Sequence, residues 1–293
     1  ISYSSDYSNL SECDMIIEAV FEDPDLKKEV IINASKYVGK NTVFASNTST
    51  LPISELAENS KTPNQFLGVH FFSPVDKMNL VEIIKGHKTN DQAVSKALDL
   101  VKQIRKTPIV VNDSRNFYAN RCIIPYLNEG ICMVGEGVSP IMIENAAQQL
   151  GMPVGPLQLI DETSIDLGVS IARATKAALG KSYQDFGVEK VLFKMFELGR
   201  LGRKVKAGFY EYDDGGKRTI LWPGLVDEWH VQSKTVNFET IKNRLALIQC
   251  LEAVRALEAN VLMDIREGDV GAILGWGCMP WAGGPFSWLD LQG

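Results

Sequence analysis

Over its first 113 residues the chain alternates short apolar runs with segments of helical periodicity. The segments 25–38 and 91–102 have the 3.6-residue period of amphipathic helices, and Asn90 or Asp91 is placed to cap the second. This alternation predicts an α/β fold with a mostly parallel sheet. The predicted strands are 15–20, 42–46, 66–72, 80–84 and 108–111.

Beyond Asp113 the pattern changes to long amphipathic segments separated by Gly and Pro, such as 119–135 and 141–150. The later part also contains an internal repeat with a period of roughly 125 residues. Chance similarity of Gly- and Pro-rich helix ends is the alternative, but the order of the matches favours a duplicated helical domain. The matched features are Asn120-Arg121 with Asn243-Arg244, Glu129 with Glu252, 152–156 with 279–285, and 159–161 with 288–290.

Composition excludes several classes of protein. A net charge of −6 and a pI near 5.3 argue against a general binder of nucleic acid or anionic membranes. No apolar stretch is long enough to span a bilayer, and we expect neither a signal peptide nor a transit segment at Ile1. Five cysteines and three histidines are scattered without ligand spacing, so we expect reduced thiols and no metal site.

One histidine and one carboxylate stand out, because each lies within a strand-like apolar run. Glu82 follows His70 by twelve positions, and a turn near Asp76 would bring the two side chains opposite each other across a hairpin. A carboxylate that orients a neutral imidazole raises its basicity, which is how a general base is built. The alternative is a satisfied core histidine beside an edge charge.

A second polar cluster follows the run 42–46. Asn47 and Ser49 lie there, where the carboxyl ends of parallel strands gather ligands in open α/β sheets. Together with His70 and Glu82, these residues predict one site at that edge of the sheet.

Several motifs together resemble the 3-hydroxyacyl-CoA dehydrogenase part of multifunctional fatty-acid β-oxidation enzymes, especially the α-subunits of bacterial fatty-acid oxidation complexes. They fall in the family's order across nearly the whole chain. The motifs are ASNTSTLPISELA, GVHFFSPVDKMNLVEIIKG, KTPIVVND, NFYANR, MPVGPLQLIDE and GRKVKAGFY.

This resemblance implies NAD-dependent oxidation of L-3-hydroxyacyl-CoA to the 3-ketoacyl-CoA. It implies that His70 takes the hydroxyl proton, that Glu82 holds the imidazole, and that Ser49 and Asn120 bind the reacting oxygen or thioester region. Without the resemblance, Ser49 is equally a turn hydroxyl, and Asn120 is equally a residue that caps or packs a helix.

The resemblance also assigns residues to the cofactor. Glu22, Lys27 and Asn47 occupy positions near the nicotinamide, and Lys204 matches a basic residue from the helical domain. Solvated charges at a helix start are the alternative for Glu22 and Lys27.

The Gly-x-Gly-x-x-Gly turn that holds a dinucleotide pyrophosphate is missing from the sequence. Gly275-Trp276-Gly277 follows no strand of the sheet domain, and packing is its more plausible role. We therefore expect an incomplete Rossmann-type sheet over 1–113 that lacks its first strand, turn and helix. Two tandem helical copies follow, over 114–224 and 225–293.

Four residues depart from the family's pattern and affect fine positioning. Asn116 stands where similar sequences have Gly, and Asn is the best substitute at positive φ. Ser73 replaces a common Asn, while Ser164 and Leu167 replace a usual Gly and Thr.

We expect this chain alone to bind NAD weakly and turn over poorly, and the resemblance implies a longer parent that also carries enoyl-CoA hydratase. Its predicted partners are an acyl-CoA substrate and a thiolase subunit. The predicted compartment is the bacterial cytoplasm, or the peroxisome or mitochondrion of a eukaryote. The alternatives are a dehydrogenase of free β-hydroxyacids, which usually has a lysine base, and a non-catalytic fragment that packs against partner subunits.

Overall fold

Five strands form one sheet in the computed structural model, which describes residues 1–229 and 236–293. They are β1 (Met15–Glu18), β2 (Val43–Ser46), β3 (Phe66–Phe71), β4 (Leu80–Lys85) and β5 (Thr107–Asn112), in that order across the sheet. The helices of the described residues are α1 (Pro24–Ala34), α2 (Ile53–Ala57), α3 (Asp91–Gln103), α4 (Ala119–Gly135), α5 (Pro140–Gln149), α6 (Pro156–Thr163), α7 (Ile165–Leu179), α8 (Val188–Glu197), α9 (Gly224–Glu228), α10 (Phe238–Glu258), α11 (Ile265–Trp276) and α12 (Pro285–Gln292).

The sheet is mostly parallel, as the sequence predicted. Strands β1, β2 and β3 run parallel, β4 runs antiparallel to β3, and β5 runs parallel to β4. Every residue of β2 is buried, and apolar side chains of β2, β3 and β4 pack with Ala93, Ala97 and Val101 of α3. This core fixes the carboxyl ends of β1, β2 and β3 at one edge of the sheet.

Strand and helix positions agree with the sequence prediction within a few residues. The predicted Asn90 cap is confirmed, since its side chain accepts a hydrogen bond from the Ala93 N–H at 2.8 Å. Helix α1 ends at Ala34 instead of residue 38. The amides of Lys36 and Tyr37 bond to the carbonyls three residues earlier, which tightens the chain into turns.

The chain divides into two compact units, one of residues 1–121 and 252–293 and one of residues 122–251. In the first unit α11 packs on the sheet through glycines. A Cβ added at Gly271 would lie 2.7 Å from Ile109, and one at Gly275 would lie 2.7 Å from Leu80. The predicted packing role of the Gly275-Trp276-Gly277 segment is therefore confirmed. The three-part division of the sequence stays a prediction, with residues 252–293 grouped with the sheet.

The second unit contains a small hairpin that the sequence analysis did not predict. Strands β6 (Tyr210–Tyr212) and β7 (Arg218–Leu221) pair antiparallel and interrupt the otherwise helical order. Their connection is a turn in which Gly216, at φ +74°, bonds to the carbonyl of Asp213. These strands are too short to give a clear periodic signal.

The same capping contact occurs at both positions of the proposed repeat. In the second unit Glu144 of α5 accepts a hydrogen bond from the Leu157 N–H at the start of α6, at 2.8 Å. In the first unit Asp269 of α11 accepts one from the Phe286 N–H at the start of α12, also at 2.8 Å. The glycine before each capped helix packs directly against the acid. The duplication itself stays a prediction.

The Arg and Glu residues matched in the proposed repeat form two ion pairs. Arg121 lies 3.9 Å from Glu252, and Arg244 binds Glu129 at 2.5 Å. Each ion pair therefore joins the arginine of one copy to the glutamate of the other. Within residues 1–229 and 236–293, none of the helices is long and apolar enough to cross a membrane.

Candidate active site

The hairpin of β3 and β4 brings His70 and Glu82 together in the predicted register. The two residues are direct partners in the antiparallel ladder, and His70 Nδ1 lies 2.7 Å from Glu82 Oε2. Glu82 is fully buried and His70 is 5 % exposed. The predicted juxtaposition is confirmed, and the alternative of Glu82 as an edge charge is wrong.

Glu82 has a second set of partners that the sequence analysis missed. Its other oxygen accepts hydrogen bonds from the backbone N–H groups of Tyr118 at 3.2 Å and Ala119 at 3.0 Å, where α4 begins. The positive end of a helix favours a carboxylate there. These bonds fill one oxygen of Glu82 and leave the other to the imidazole.

The chain enters α4 through two residues with positive φ. Asn116 has φ +67°, as expected for a residue that replaces glycine, and Phe117 has φ +50°, which was not expected. Ser164, the other predicted replacement of a family glycine, also has positive φ, at +88°. The turn before α4 delivers the Tyr118 and Ala119 amides to Glu82.

The imidazole of His70 is enclosed by aromatic rings. The Phe72 ring centroid lies 4.6 Å away and the Phe117 centroid 6.1 Å away. Nε2 makes no hydrogen bond within the described part of the chain, whereas Nδ1 is committed to Glu82. The tautomer with a proton on Nδ1 leaves Nε2 as an acceptor, which is the form of a general base.

Ser49 is held through its backbone on both sides. Its N–H donates to Glu22 Oε1 at 3.0 Å, and its carbonyl accepts from the Asn120 side-chain amide at 2.8 Å. Asn120 therefore does not cap α4, although it lies in the first turn of that helix. The Ser49 hydroxyl is bonded to none of the described residues and is available to a ligand.

Glu22 is bonded to the loop that carries Ser49. Its Oε1 accepts from the Thr48 hydroxyl at 2.6 Å and from the N–H and hydroxyl of Thr50, each at 3.0 Å. Partial burial acts to raise the pKa of the Glu22 carboxyl, but the hydrogen bonds from this loop and the charge of Lys27 outweigh it. The pKa therefore lies below its usual value.

Lys27 is buried in an ion pair, so the interpretation of Lys27 as a solvated charge is wrong. It is 1 % exposed, and its Nζ lies 2.9 Å from Glu18 Oε1 and 3.5 Å from Glu22 Oε2. Glu18, which the sequence analysis did not single out, also accepts from the Ser46 hydroxyl at 2.6 Å. A buried pair of this kind is costly unless each partner is fully hydrogen-bonded, as here.

Asn47 ties the loop after β2 to the loop after β3. Its Oδ1 accepts from the Phe71 N–H at 2.9 Å, next to His70 in sequence. The side-chain nitrogen of Asn47, Nδ2, forms no hydrogen bond with the described residues and remains available as a donor. Asn47 therefore fixes the end of β3 and keeps a free polar group.

Lys204, the fourth residue assigned to the cofactor by resemblance, belongs to the second unit. Its Nζ binds both carboxylate oxygens of Asp166, at 2.6 and 2.5 Å. The loop that carries Lys204 is closed by a hydrogen bond from Gly202 N–H to the Ala207 carbonyl at 2.8 Å. Its role toward the cofactor stays a prediction.

The lowered pKa of Glu22 predicts a pH-dependent contribution to stability. Because the folded-state pKa lies below the usual value of about 4.5, ionised Glu22 stabilises the fold above that pH. The contribution is lost as the pH falls through the folded-state pKa. We expect the free energy of unfolding of Glu22→Gln to fall furthest below wild type near pH 7 and to converge with it below pH ~4.5.

Urea denaturation between pH 3.5 and 7.5 measures this difference. Glu29→Gln is the matched control, because Glu29 is an exposed carboxylate on α1. A difference between wild type and Glu22→Gln that does not change with pH would contradict the assigned hydrogen bonds.

Two family models match the chain. The model of the 3-hydroxyacyl-CoA dehydrogenase NAD binding domain matches residues 1–114, and the model of the C-terminal domain of the same enzymes matches residues 117–212. This chain belongs to the 3-hydroxyacyl-CoA dehydrogenase family. NAD is the cofactor that the matched first domain binds.

Solved structures of other 3-hydroxyacyl-CoA dehydrogenases agree with this assignment. The (S)-3-hydroxybutyryl-CoA dehydrogenase PaaH1 from Ralstonia eutropha is 35% identical, with 72% of this chain and 75% of that chain covered and a TM-score of 0.67. The dehydrogenase part of multifunctional enzyme 1 from C. elegans is 29% identical, with 93% and 63% covered and a TM-score of 0.66. The 3-hydroxybutyryl-CoA dehydrogenase from Escherichia coli K12, 22% identical with 99% and 77% covered and a TM-score of 0.80, shows the shared fold.

The residues of this dehydrogenase chain fit the nicotinamide end of NAD. The Ser49 hydroxyl and the side-chain amide nitrogen of Asn47 (Nδ2) lie after β2, and neither is hydrogen-bonded to the described residues. The sequence has no Gly-x-Gly-x-x-Gly turn to hold the pyrophosphate. Which of these groups contact the cofactor or the reacting carbon stays a prediction.

Proposed function

We propose that this site oxidises L-3-hydroxyacyl-CoA to 3-ketoacyl-CoA in fatty-acid β-oxidation. The observation that carries the proposal is the buried His70–Glu82 pair, whose Nδ1 to Oε2 distance is 2.7 Å. Nε2 accepts the proton of the 3-hydroxyl, and Glu82 stabilises the imidazolium that forms. NAD, when bound, accepts the hydride from C3.

The remaining groups orient the substrate. Ser49 offers a hydroxyl that is not used inside the protein, and Asn120 holds the backbone of Ser49. In the reverse direction the same hydroxyl donates to the ketone oxygen of the 3-ketoacyl-CoA. Orientation of this kind lowers the entropic part of the barrier.

The family resemblance extends this proposal to the whole protein. We propose that the chain belongs to a longer protein that acts on acyl-CoA substrates and also has enoyl-CoA hydratase activity. A thiolase subunit is its proposed partner. Its compartment is the bacterial cytoplasm, or the peroxisome or mitochondrion of a eukaryote. The same resemblance assigns Glu22, Lys27, Asn47 and Lys204 to the NAD side of the site.

The experiment that tests the function follows NADH oxidation with acetoacetyl-CoA at 340 nm. We expect turnover in the longest natural chain that carries this sequence. In residues 1–293 alone we expect NADH binding weaker than micromolar by calorimetry, because the Gly-rich turn is missing from the sequence. Micromolar NADH binding by residues 1–293 would contradict this second expectation, and an inactive longer chain would support the non-catalytic alternative.

A further inference from the structure

Glu22, which follows β1, contacts all three residues of segment 48–50, the loop that carries Ser49. One of its carboxylate oxygens is used entirely by hydrogen bonds inside the protein. We propose that Glu22 is a positioning residue that fixes the Ser49 hydroxyl by holding the backbone of segment 48–50. This inference rests on the proposed function, because it assigns to Ser49 the contact with the reacting oxygen.

The first step is the saturation of one carboxylate oxygen. Glu22 Oε1 accepts four hydrogen bonds of 3.0 Å or shorter, two from hydroxyls and two from backbone amides. A carboxylate has about four lone-pair sites on its two oxygens, so this oxygen has no capacity left for a ligand. Oε2 faces Lys27 at 3.5 Å.

The second step is the effect on Ser49. Its N–H is held by Glu22 and its carbonyl by Asn120, at 3.0 and 2.8 Å. The backbone is thereby fixed on both sides, while the hydroxyl has no hydrogen-bond partner among the described residues. A fixed backbone with a free hydroxyl is the arrangement of a preorganised ligand contact.

The third step connects Ser49 to the dyad. Adjacent residues of α4 contact both groups, since the Ala119 N–H donates to Glu82 and the Asn120 side chain donates to Ser49. The first turn of α4 therefore sets the position of Ser49 relative to Glu82. Glu22 binds the N–H of Ser49, whereas Asn120 binds its carbonyl. Removal of Glu22 therefore leaves Asn120 as the remaining contact that holds the Ser49 backbone.

The family resemblance assigns Glu22 to the cofactor instead, and kinetics separate the two roles. A cofactor ligand contributes to NADH binding, so its loss raises KM for NADH. A positioning residue that acts through Ser49 lowers kcat, and its effect disappears when Ser49 has already lost its hydroxyl. The decisive measurement is therefore a double-mutant cycle of Glu22→Ala and Ser49→Ala.

We expect Glu22→Ala to lower kcat for acetoacetyl-CoA reduction about 10-fold or more, which corresponds to the loss of a hydrogen bond to a charged group. KM for NADH should stay within about twofold of wild type. In the Ser49→Ala background, Glu22→Ala should lower kcat by less than about twofold. Glu29→Ala, on an exposed part of α1, is the control for loss of a surface charge.

A second measurement on residues 1–293 does not depend on activity. Amide hydrogen exchange by NMR should show that Ser49 loses protection about 10-fold or more in Glu22→Ala, because its N–H loses its acceptor. Thr50 should also lose protection, because its N–H keeps only the longer contact to Thr48 Oγ1 at 3.3 Å. The backbone N–H of Asn47, which donates to the Glu18 carbonyl at 2.8 Å, should keep its protection. Glu22→Gln should restore part of the protection of Ser49 and Thr50, because it keeps an acceptor oxygen.

Three results would overturn the proposal. The first is unchanged exchange protection of Ser49 and Thr50 in Glu22→Ala, and the second is a raised KM for NADH with unchanged kcat. The third is a double variant whose loss of kcat equals the product of the losses in the two single variants. An inactive wild type would refute the proposed function, and the exchange measurement would then decide the positioning of the loop by itself.

Discussion

Replacement of His70 by alanine is expected to lower kcat for 3-hydroxyacyl-CoA oxidation by about 10²–10⁴-fold, because the general base is lost from the transition state. The imidazole is the group whose Nε2 is free while Nδ1 is held by Glu82 at 2.7 Å. The chain should still fold, since Glu82 Oε1 keeps its hydrogen bonds from the Tyr118 and Ala119 amides. The buried Oε2 loses its partner, which is expected to cost about 1–3 kcal/mol of stability. The measurement is steady-state kinetics in the longest natural chain that carries this sequence.

Two further variants make this result specific. His70→Gln keeps a side chain long enough to donate to Glu82, so it controls for the packing lost in His70→Ala while still lacking the base. His87→Ala removes an exposed histidine and should leave kcat unchanged. A kcat of His70→Gln within about threefold of wild type would exclude His70 as the base.

Replacement of Gly208 by alanine is expected to destabilise the second unit by about 3–5 kcal/mol, through overpacking and lost hydrogen bonds to a buried carboxylate. A Cβ at this position would lie 2.1 Å from Asp161 Oδ1 and 2.4 Å from Oδ2. Asp161 is buried and accepts from the Phe209 and Tyr210 amides, each at 2.8 Å. The carboxylate therefore cannot move aside without breaking both bonds.

Urea denaturation at pH 8 is the appropriate measurement, because burial raises the pKa of Asp161 to about 7 and the group is charged above that pH. Gly215→Ala, in the connection between β6 and β7, is the matched control and should cost less than about 1 kcal/mol. In an Asp161→Ala background the cost of Gly208→Ala should shrink, because the clashing atoms are gone. An equal cost in both backgrounds would place the clash elsewhere.

Local signals in the sequence gave the sheet and the dyad correctly. The apolar runs have the length of buried strands, and the turn between Phe72 and Leu80 sets the hairpin register that pairs His70 with Glu82. The Asn90 cap depends on the chemistry of a single residue, and the positive φ of Asn116 was implied by the glycine that the resembled family has there. Each of these features is decided within a few residues, so the sequence carries it directly.

Contacts between distant residues were not predictable in the same way. Three sets of hydrogen bonds join separate elements, and nothing in the local pattern marks their partners. They are the Lys27–Glu18–Ser46 network, the bonds from segment 48–50 to Glu22, and the bonds from the first amides of α4 to Glu82. The β6–β7 hairpin was missed because its strands are short and its anchor, Asp161, lies 48 residues before Phe209.

The sequence alone therefore determined the alternation of strands and helices over residues 1–113, the juxtaposition of the dyad and, by resemblance, the family. Tertiary structure decided which polar groups are used inside the protein and which stay free for a ligand. The physical reason is that a buried polar group must find a partner wherever the fold brings one. Whether Glu22, Asn47 or Ser49 faces a ligand depends on residues far away in the chain, which only the folded structure brings near.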